Sequence, residues 1–324
     1  MKIVITGGAG FLGQKLARRL LQLDGIAARD DGVRRPIDEV VLVDRVAAPD
    51  LGVARVRSVA ADITDAQVMG GLIGPDVDLV FHLAAIVSGA AEADFDLGMA
   101  INLDASRRLL DLCRAAGHRP RVVFTSSVAV YGGALPPVVT DETRLDPRSS
   151  YGVQKAIGEL LLGDYTRKGF VDGRILRLPT ISVRPGAPNK AASSFASGLI
   201  REPLGGQPTV CPVSTDLRLW LLSPRGAIDG IVAGAQLPSS ALGDQRALNL
   251  PGLSVSVAEM IAALERAGGR AAVDLIRFER DPAVEAIVGG WPAAWDISRA
   301  QALGLKGDPD FDAIVRAYVE DELN

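Results

Sequence analysis

Six short apolar runs punctuate the first 179 residues: Lys2–Thr6, Glu39–Asp44, Arg55–Asp62, Asp78–Ala84, Arg121–Ser127 and Gly173–Pro179. Val, Ile, Leu and Phe dominate them without polar alternation, the pattern of strands covered on both faces; a half-exposed strand would show a period of two. Enough residues separate each run from the next for a helix or crossover. The chain therefore predicts βαβ units and one parallel sheet between two helical layers. The expected class is α/β, with a doubly wound parallel sheet.

The texture changes after Pro179. Ser182–Pro224 is rich in Pro, Gly, Ser and Asn and carries several arginines. Such a composition predicts loops and short elements, and substrate recognition is assigned to it. Beyond it, Ala247–Leu250 reads as a seventh strand, Ser256–Ala267 as an amphipathic helix and Asp310–Leu323 as a terminal helix. The expected division is 1–180 plus about 226–250 for the sheet domain, and 181–225 plus about 251–324 for a small carboxyl-terminal substrate-binding lobe. The polar stretch Asp24–Asp38 predicts an exposed loop between the first helix and the second strand.

At 324 residues, 48% hydrophobic and 23% charged, the chain can bury a sizeable core unaided. A formal charge of −4 leaves no basic footprint, so nucleic acid is not expected as a partner. A dinucleotide stays open, because helix N-termini and glycine turns bind phosphate without net positive charge. Met1-Lys2-Ile3-Val4-Ile5-Thr6-Gly7 runs straight into a strand without the features of a secretory leader, and no apolar run reaches the roughly 20 residues that span a bilayer. No membrane partner and a cytoplasmic location are expected. Cys113, Cys211, His82 and His118 supply neither a disulfide framework nor a zinc-ligand cluster, so no metal is expected.

Thr6-Gly7-Gly8-Ala9-Gly10-Phe11-Leu12-Gly13 closes the first strand and opens a helix. Glycine there permits a tight turn and lets backbone approach a pyrophosphate, while the helix N-terminus favours the phosphate charge. Its position after a strand and before a helix makes it a Rossmann signature. Asp44 ends the second strand, where a carboxylate accepts from an adenosine ribose and repels a 2′-phosphate. NAD is therefore expected; NADP is possible but less favoured, since Arg45 stands next door. The interval from Gly13 to Asp44 exceeds the roughly 20 residues usual for this contact, and the Asp24–Asp38 loop is the expected insertion. Asp62 and Ile63 are expected beside adenine, Leu83, Ala84 and Ala85 along the crevice, and His82 as a structural wall residue.

Tyr151-Gly152-Val153-Gln154-Lys155 sets a phenol and an ammonium four residues apart, on one face of a helix. A phenol with a pKa near 10 is a poor base at neutral pH, and a neighbouring cation favours its phenolate. Upstream, the fifth strand delivers Thr125-Ser126-Ser127 to the carboxyl edge of the sheet, followed by Val128-Ala129-Val130-Tyr131-Gly132. The glycine turn, the Ser-Ser-x-x-x-Tyr-Gly segment and Tyr-x-x-x-Lys, in this order, resemble the extended short-chain dehydrogenase/reductase superfamily over essentially the whole chain. That resemblance implies Tyr151 as general acid/base, Ser127 as the residue orienting the reacting hydroxyl, and Lys155 as binder of the nicotinamide ribose that lowers the tyrosine's pKa. It also implies that Asn102 supports the lysine through water, that Ser126 is a near-equal candidate for substrate contact, and that Thr180 lies where backbone groups hold the carboxamide. A homodimer through helices that include the Tyr151 helix is implied as well.

All branches of the superfamily begin with hydride transfer to bound NAD, so epimerase, dehydratase and dehydrogenase remain open. Nucleotide-sugar dehydratases resemble one another in carrying Thr-Asp-Glu after the fifth strand; here Ser127-Val128-Ala129 stands instead, which disfavours elimination. Downstream, Leu178–Phe195, Ile200-Arg201-Glu202-Pro203-Leu204, Cys211-Pro212-Val213 and Ser223-Pro224-Arg225 are similar to the D-erythronate dehydrogenase family. The likeness implies oxidation of the 2-hydroxyl of a four-carbon sugar acid to the 2-oxo acid. Such a substrate needs a carboxylate anchor, for which Arg184 and Arg225 are candidates, with Asn189 and Ser193 for its hydroxyls. An NAD-dependent sugar or nucleotide-sugar epimerase and a cofactor-sensing binding protein are the alternatives. Trp220, Trp291 and Trp295 read as packing residues.

Overall fold

The computed structural model describes residues 1–186 and 193–323. Seven strands form the main sheet: β1 (Lys2–Thr6), β2 (Glu39–Asp44), β3 (Val56–Ala60), β4 (Val77–His82), β5 (Arg121–Ser127), β6 (Asp172–Leu178) and β7 (Ala247–Asn249). They lie in the order β7–β6–β5–β4–β1–β2–β3, every neighbouring pair parallel. Strand order reverses between β1 and β4, which opens a crevice at their carboxyl ends. The uniform apolarity of the strands now has its reason. Ile3 and Ile5 join one core with Leu42, Leu79 and Phe81, while Val4 joins the other with Val41, Val80 and Phe124. Helices Phe11–Leu21 and Pro224–Gln236 cover the first face; Ala66–Leu72, Ala105–Ala116 and Ser150–Arg167 cover the second.

β3 and β4 are shorter than the apolar runs that predict them. Pairing stops where the partner strand stops, at Asp44 opposite Ala60 and at Thr6 opposite His82. Asp62, Leu83 and Ala84 are thereby released into the crevice.

Asp24–Asp38 is not the exposed loop its polarity predicts. Ile26 is fully buried and bridges to Arg35, and Asp30 reaches the buried guanidinium of Arg121. A small apolar plug, Ile26, Ala28 and Ile37, joins the core under β1 while the charged residues between them stay at the surface.

Ser182–Pro224 likewise holds more regular structure than its composition predicts. It contains a helix, Ser194–Leu204, and strands Thr209–Cys211 and Arg218–Leu222. Ala196, Leu199 and Ile200, at helical spacing, pack into a second core with Leu219, Met260 and Ile314. Gly198 and Pro203 lower the helix's intrinsic propensity, and tertiary packing overrides them. The helix Val257–Val273 begins at a capping box: the Ser256 hydroxyl accepts from the Glu259 N–H and the Glu259 carboxylate from the Ser256 N–H. It continues past the expected end at Ala267, across a non-helical Gly269. Ala300 and Leu305 belong to the core of the sheet's first face, so the segment 251–324 serves both cores.

Candidate active site

A cavity of about 1340 Å³ runs along the carboxyl ends of the central strands. At one end lies the glycine turn. Gly7 has φ 74°, and a Cβ there would stand 2.8 Å from the Ala84 nitrogen; a Cβ on Gly13 would stand 2.2 Å from the Gly7 carbonyl oxygen. Larger residues are therefore excluded at both positions. The helix Phe11–Leu21 starts at Gly10 with no side-chain cap, and Gly10, Phe11, Leu12 and Gly13 line the cavity. Uncapped amide donors and bare backbone fit a pyrophosphate.

Asp44 lines the next stretch of wall, its carboxylate accepting from the Ala9 N–H at 3.1 Å and the Arg45 N–H at 2.8 Å. Those bonds hold it beside the turn. Asp62 accepts from the Thr64 N–H at 2.9 Å and hydroxyl at 2.8 Å, and these bonds lower its pKa. Ile63, Leu83, Ala84, Ala85 and Thr180 complete this part of the lining. The residues present fit a dinucleotide along the whole rim.

The other end of the cavity is built on one helix. The Ser149 hydroxyl accepts from the Gly152 N–H at 3.2 Å and caps Ser150–Arg167, so Tyr151 falls in the first turn and Lys155 one turn on. A Cβ on Gly152 would stand 2.2 Å from the Ala129 carbonyl oxygen; its absence lets the helix press against the turn after β5. Ser127 and Tyr151 both line the cavity, and the Ser127 hydroxyl accepts from the Ala129 N–H at 3.1 Å. Burial pushes the Tyr151 pKa up to about 12, with the Ser127 hydroxyl and the Arg184 charge pulling the other way. Lys155 is 2% exposed and donates to the Thr125 carbonyl at 2.8 Å, with its nitrogen 4.6 Å from the Phe124 ring centre and 5.7 Å from that of Tyr151. Burial pushes it down to about 8, against the charge of Glu159. Arg184 adds a second cation near Tyr151, beside the Lys155 ammonium to which the sequence points.

Several other candidates find different places. Asn102, in a π-helical stretch Met99–Asp104, accepts from the Ile86 N–H at 2.9 Å and donates to the Ile86 carbonyl at 3.2 Å and to Gln154 at 2.8 Å. It clamps the cavity-lining Ile86 and touches neither Lys155 nor the cavity. The Ser126 hydroxyl donates to Glu159 at 2.5 Å, while Ser126 itself, like Ser127, lines the cavity. Arg184 and Ser193 line the cavity. Arg225 does not: it lies exposed on the helix Pro224–Gln236, paired with Asp321 at 2.5 Å and Glu320 at 2.8 Å, so its charge is spent outside the site. Asn189 lies outside the described residues. His82 is buried between the Thr6 hydroxyl at 2.7 Å and the Ser106 hydroxyl at 2.8 Å, and burial with the Lys155 charge pushes its pKa down to about 3.

The sequence does not reveal the apolar wall of Pro212, Val284, Ile287 and Trp291, contributed by the carboxyl-terminal lobe. Nothing in local spacing marks these residues, since they meet only when the short helix Pro282–Val288 swings over the rim. Trp220 and Trp295 stack with ring centres 5.6 Å apart, and Trp291 alone of the three lines the cavity.

Doubly wound sheet, glycine turn in the crevice and a Ser–Tyr–Lys set on its wall define a dinucleotide-dependent oxidoreductase of the extended short-chain type. Comparison with known proteins agrees. Residues 3–222 match the NAD dependent epimerase/dehydratase family. The chain is 60% identical over 321 residues to the D-erythronate dehydrogenase of Cupriavidus necator, covering 99% of this chain and 98% of that protein. It is 45% identical over 325 residues to the D-erythronate dehydrogenase of Haemophilus influenzae, covering 100% of both. Among solved structures, the nucleoside-diphosphate-sugar epimerase from Agrobacterium tumefaciens superimposes with a TM-score of 0.93 at 44% identity, over 100% of this chain and 94% of that one. The chain belongs to the NAD-dependent epimerase/dehydratase family.

Proposed function

We propose that this protein oxidises the 2-hydroxyl of D-erythronate to the 2-oxo acid with NAD as acceptor. One observation carries the reading: Ser127, Tyr151 and the half-buried Arg184 line one and the same cavity, with the Ser127 hydroxyl and the Arg184 charge both favouring the ionised Tyr151 phenol. A 2-hydroxy acid bears its carboxylate and its reacting hydroxyl on adjacent carbons, so one small molecule spans both. Arg184 grips the carboxylate, Ser193 takes a further hydroxyl, and Ser127 orients the 2-hydroxyl toward Tyr151. Tyr151, as phenolate, removes the hydroxyl proton, and Lys155 binds the nicotinamide ribose. NAD, when bound, supplies the acceptor for the C2 hydrogen with its electron pair. Gly7, Gly10, Phe11, Leu12 and Gly13 hold the pyrophosphate, and Asp44 selects NAD over NADP at the ribose.

The two relatives that bear the name D-erythronate dehydrogenase support the choice of acid. The sheet half, 1–180 plus about 226–250, holds the cofactor, and the lobe, 181–225 plus about 251–324, closes over the acid. Val153 and Leu160 lie exposed on the Tyr151 helix, as does Phe95 on a short helix nearby, and these are the proposed seam of a homodimer. The proposed compartment is the cytoplasm, in keeping with two unpaired cysteines.

Purified protein given NAD and a panel of aldonic acids is expected to form NADH with D-erythronate. No NADH with any tetronate removes the substrate. Conversion of a nucleotide sugar without net NADH moves the protein to the epimerase reading.

A further inference from the structure

Beneath the catalytic wall lies a buried ion pair that the reaction above does not use. Glu159, 4% exposed, stands one turn beyond Lys155 and two beyond Tyr151 on the same helix. Its carboxylate accepts from Arg177 on β6, from Nε at 2.9 Å and Nη2 at 2.6 Å, and from the Ser126 hydroxyl on β5 at 2.5 Å. Arg177 is held from its far side by the Tyr131 hydroxyl and by the Asp141 carbonyl at 3.1 Å, so the carboxylate has a fixed seat.

Ser126 separates the two residues of β5 that face the chemistry. Thr125 offers its carbonyl to the Lys155 ammonium, and Ser127 lines the cavity with Tyr151. Pinning Ser126 therefore places both neighbours. The groups facing the ammonium are few: Glu159 and Tyr151 on its own helix, the Thr125 carbonyl and Phe124 ring on β5, and His82 on β4, which burial keeps neutral. Arg177, Tyr131 and Asp141 face Glu159 from the other side. Among the described residues, Glu159 is thus the one anion set against the desolvation of Lys155.

We propose that Glu159 is a positioning residue for the reaction: through Ser126 it fixes the strand end carrying Thr125 and Ser127, and its charge keeps Lys155 an ammonium at working pH. This rests on Tyr151, Lys155 and Ser127 as the catalytic set, and is independent of which acid is oxidised. A pair that merely ties the helix to β6 would, when broken, cost stability and leave Lys155 untouched.

Lys155 is one of six lysines, so its side-chain ¹³Cε signal, assigned by comparison with Lys155→Met, can be titrated in the full chain with NAD bound. Glu159→Gln is expected to lower its midpoint by about one pH unit, and Glu159→Asp to restore most of it. The alkaline limb of kcat should move down by the same interval while KM for NAD stays within about twofold. A Lys155 midpoint displaced by less than ~0.3 pH unit in Glu159→Gln overturns the proposal. Should that variant fail to fold, Glu159→Gln with Arg177→Met leaves no unpaired buried charge and carries the same titration, and an unmoved midpoint there is equally decisive. If the wild-type protein turns over no acid, the substrate reading fails, while a displaced Lys155 still supports the role of Glu159.

Discussion

Strands β5 and β6 carry buried charges at both ends, and the two ends are put to opposite use. At the amino edge, Arg121 and Arg174 are both fully buried and share Asp172, at 2.8 Å and 2.5 Å, and the Ser239 hydroxyl adds a third bond at 2.7 Å. Arg121 also donates to the Ala235 carbonyl at 2.8 Å and to Asp30 at 3.0 Å. Burial works against the Asp172 charge, yet Arg174, Ser239 and Arg121 hold its carboxyl down at about 2. At the carboxyl edge, Lys155 is just as dry and Tyr151 half-buried, and the ammonium is sparsely bonded, to the Thr125 carbonyl. There burial prevails, and both groups are displaced toward their neutral forms. Burial gives a clamp where hydrogen bonding is complete and displaced, titratable groups, as the proposed proton transfer needs, where it is left unfinished.

The contrast can be broken at either edge. The largest effect is expected from Tyr151→Phe, which should lower kcat about 10³- to 10⁴-fold while NAD affinity, measured by calorimetry, stays within a few fold. A variant that keeps a tenth of the activity would take the phenol out of the chemistry. At the amino edge, Asp172→Asn removes the carboxylate that two buried guanidinium groups share, leaving Asp30 as their remaining anion, and should cost about 3–5 kcal/mol in urea unfolding, with kcat nearly unchanged in the protein that stays folded. A loss of activity without loss of stability would erase the distinction between the edges.

His82 sharpens it, because it sits at the chemical edge yet has both ring nitrogens bonded. Its folded pKa of about 3 lies below the usual 6.5, so the unfolded chain takes up a proton first as pH falls. Stability is therefore full above pH 6.5 and drains away toward pH 3. Wild-type protein should lose about 3 kcal/mol between pH 6.5 and 4 that His82→Gln does not lose, read from melting curves across pH. The smallest effect separates two arginines. Arg184→Met should raise KM for the acid about 30-fold with kcat changed far less, and Arg225→Met should leave both within about twofold. Equal effects from the two would unseat Arg184 as the anchor.

Much of this site is legible in the chain because its parts are local. The glycine turn needs only eight consecutive residues, and Tyr151 and Lys155 meet because a helix brings positions four apart onto one face. Ser126 and Ser127 show the limit. Two adjacent hydroxyls are equivalent on paper; both residues line the cavity, and the fold ties the hydroxyl of Ser126 to Glu159. Arg225 shows it again, for the aspartate that occupies it lies 96 residues further along the chain. In Asp24–Asp38, charged residues masked Ile26 and Ile37, whose burial depends on a core assembled elsewhere.

By itself the sequence determined the doubly wound sheet, the glycine turn and the shared helix face of Tyr151 and Lys155, since each follows from short-range periodicity and backbone sterics. Only the tertiary structure decided which serine hydroxyl is tied to Glu159, which arginine lines the cavity and which side chains wall it. Those choices turn on burial and on partners distant in the chain, and neither quantity exists until the two cores have closed around the sheet.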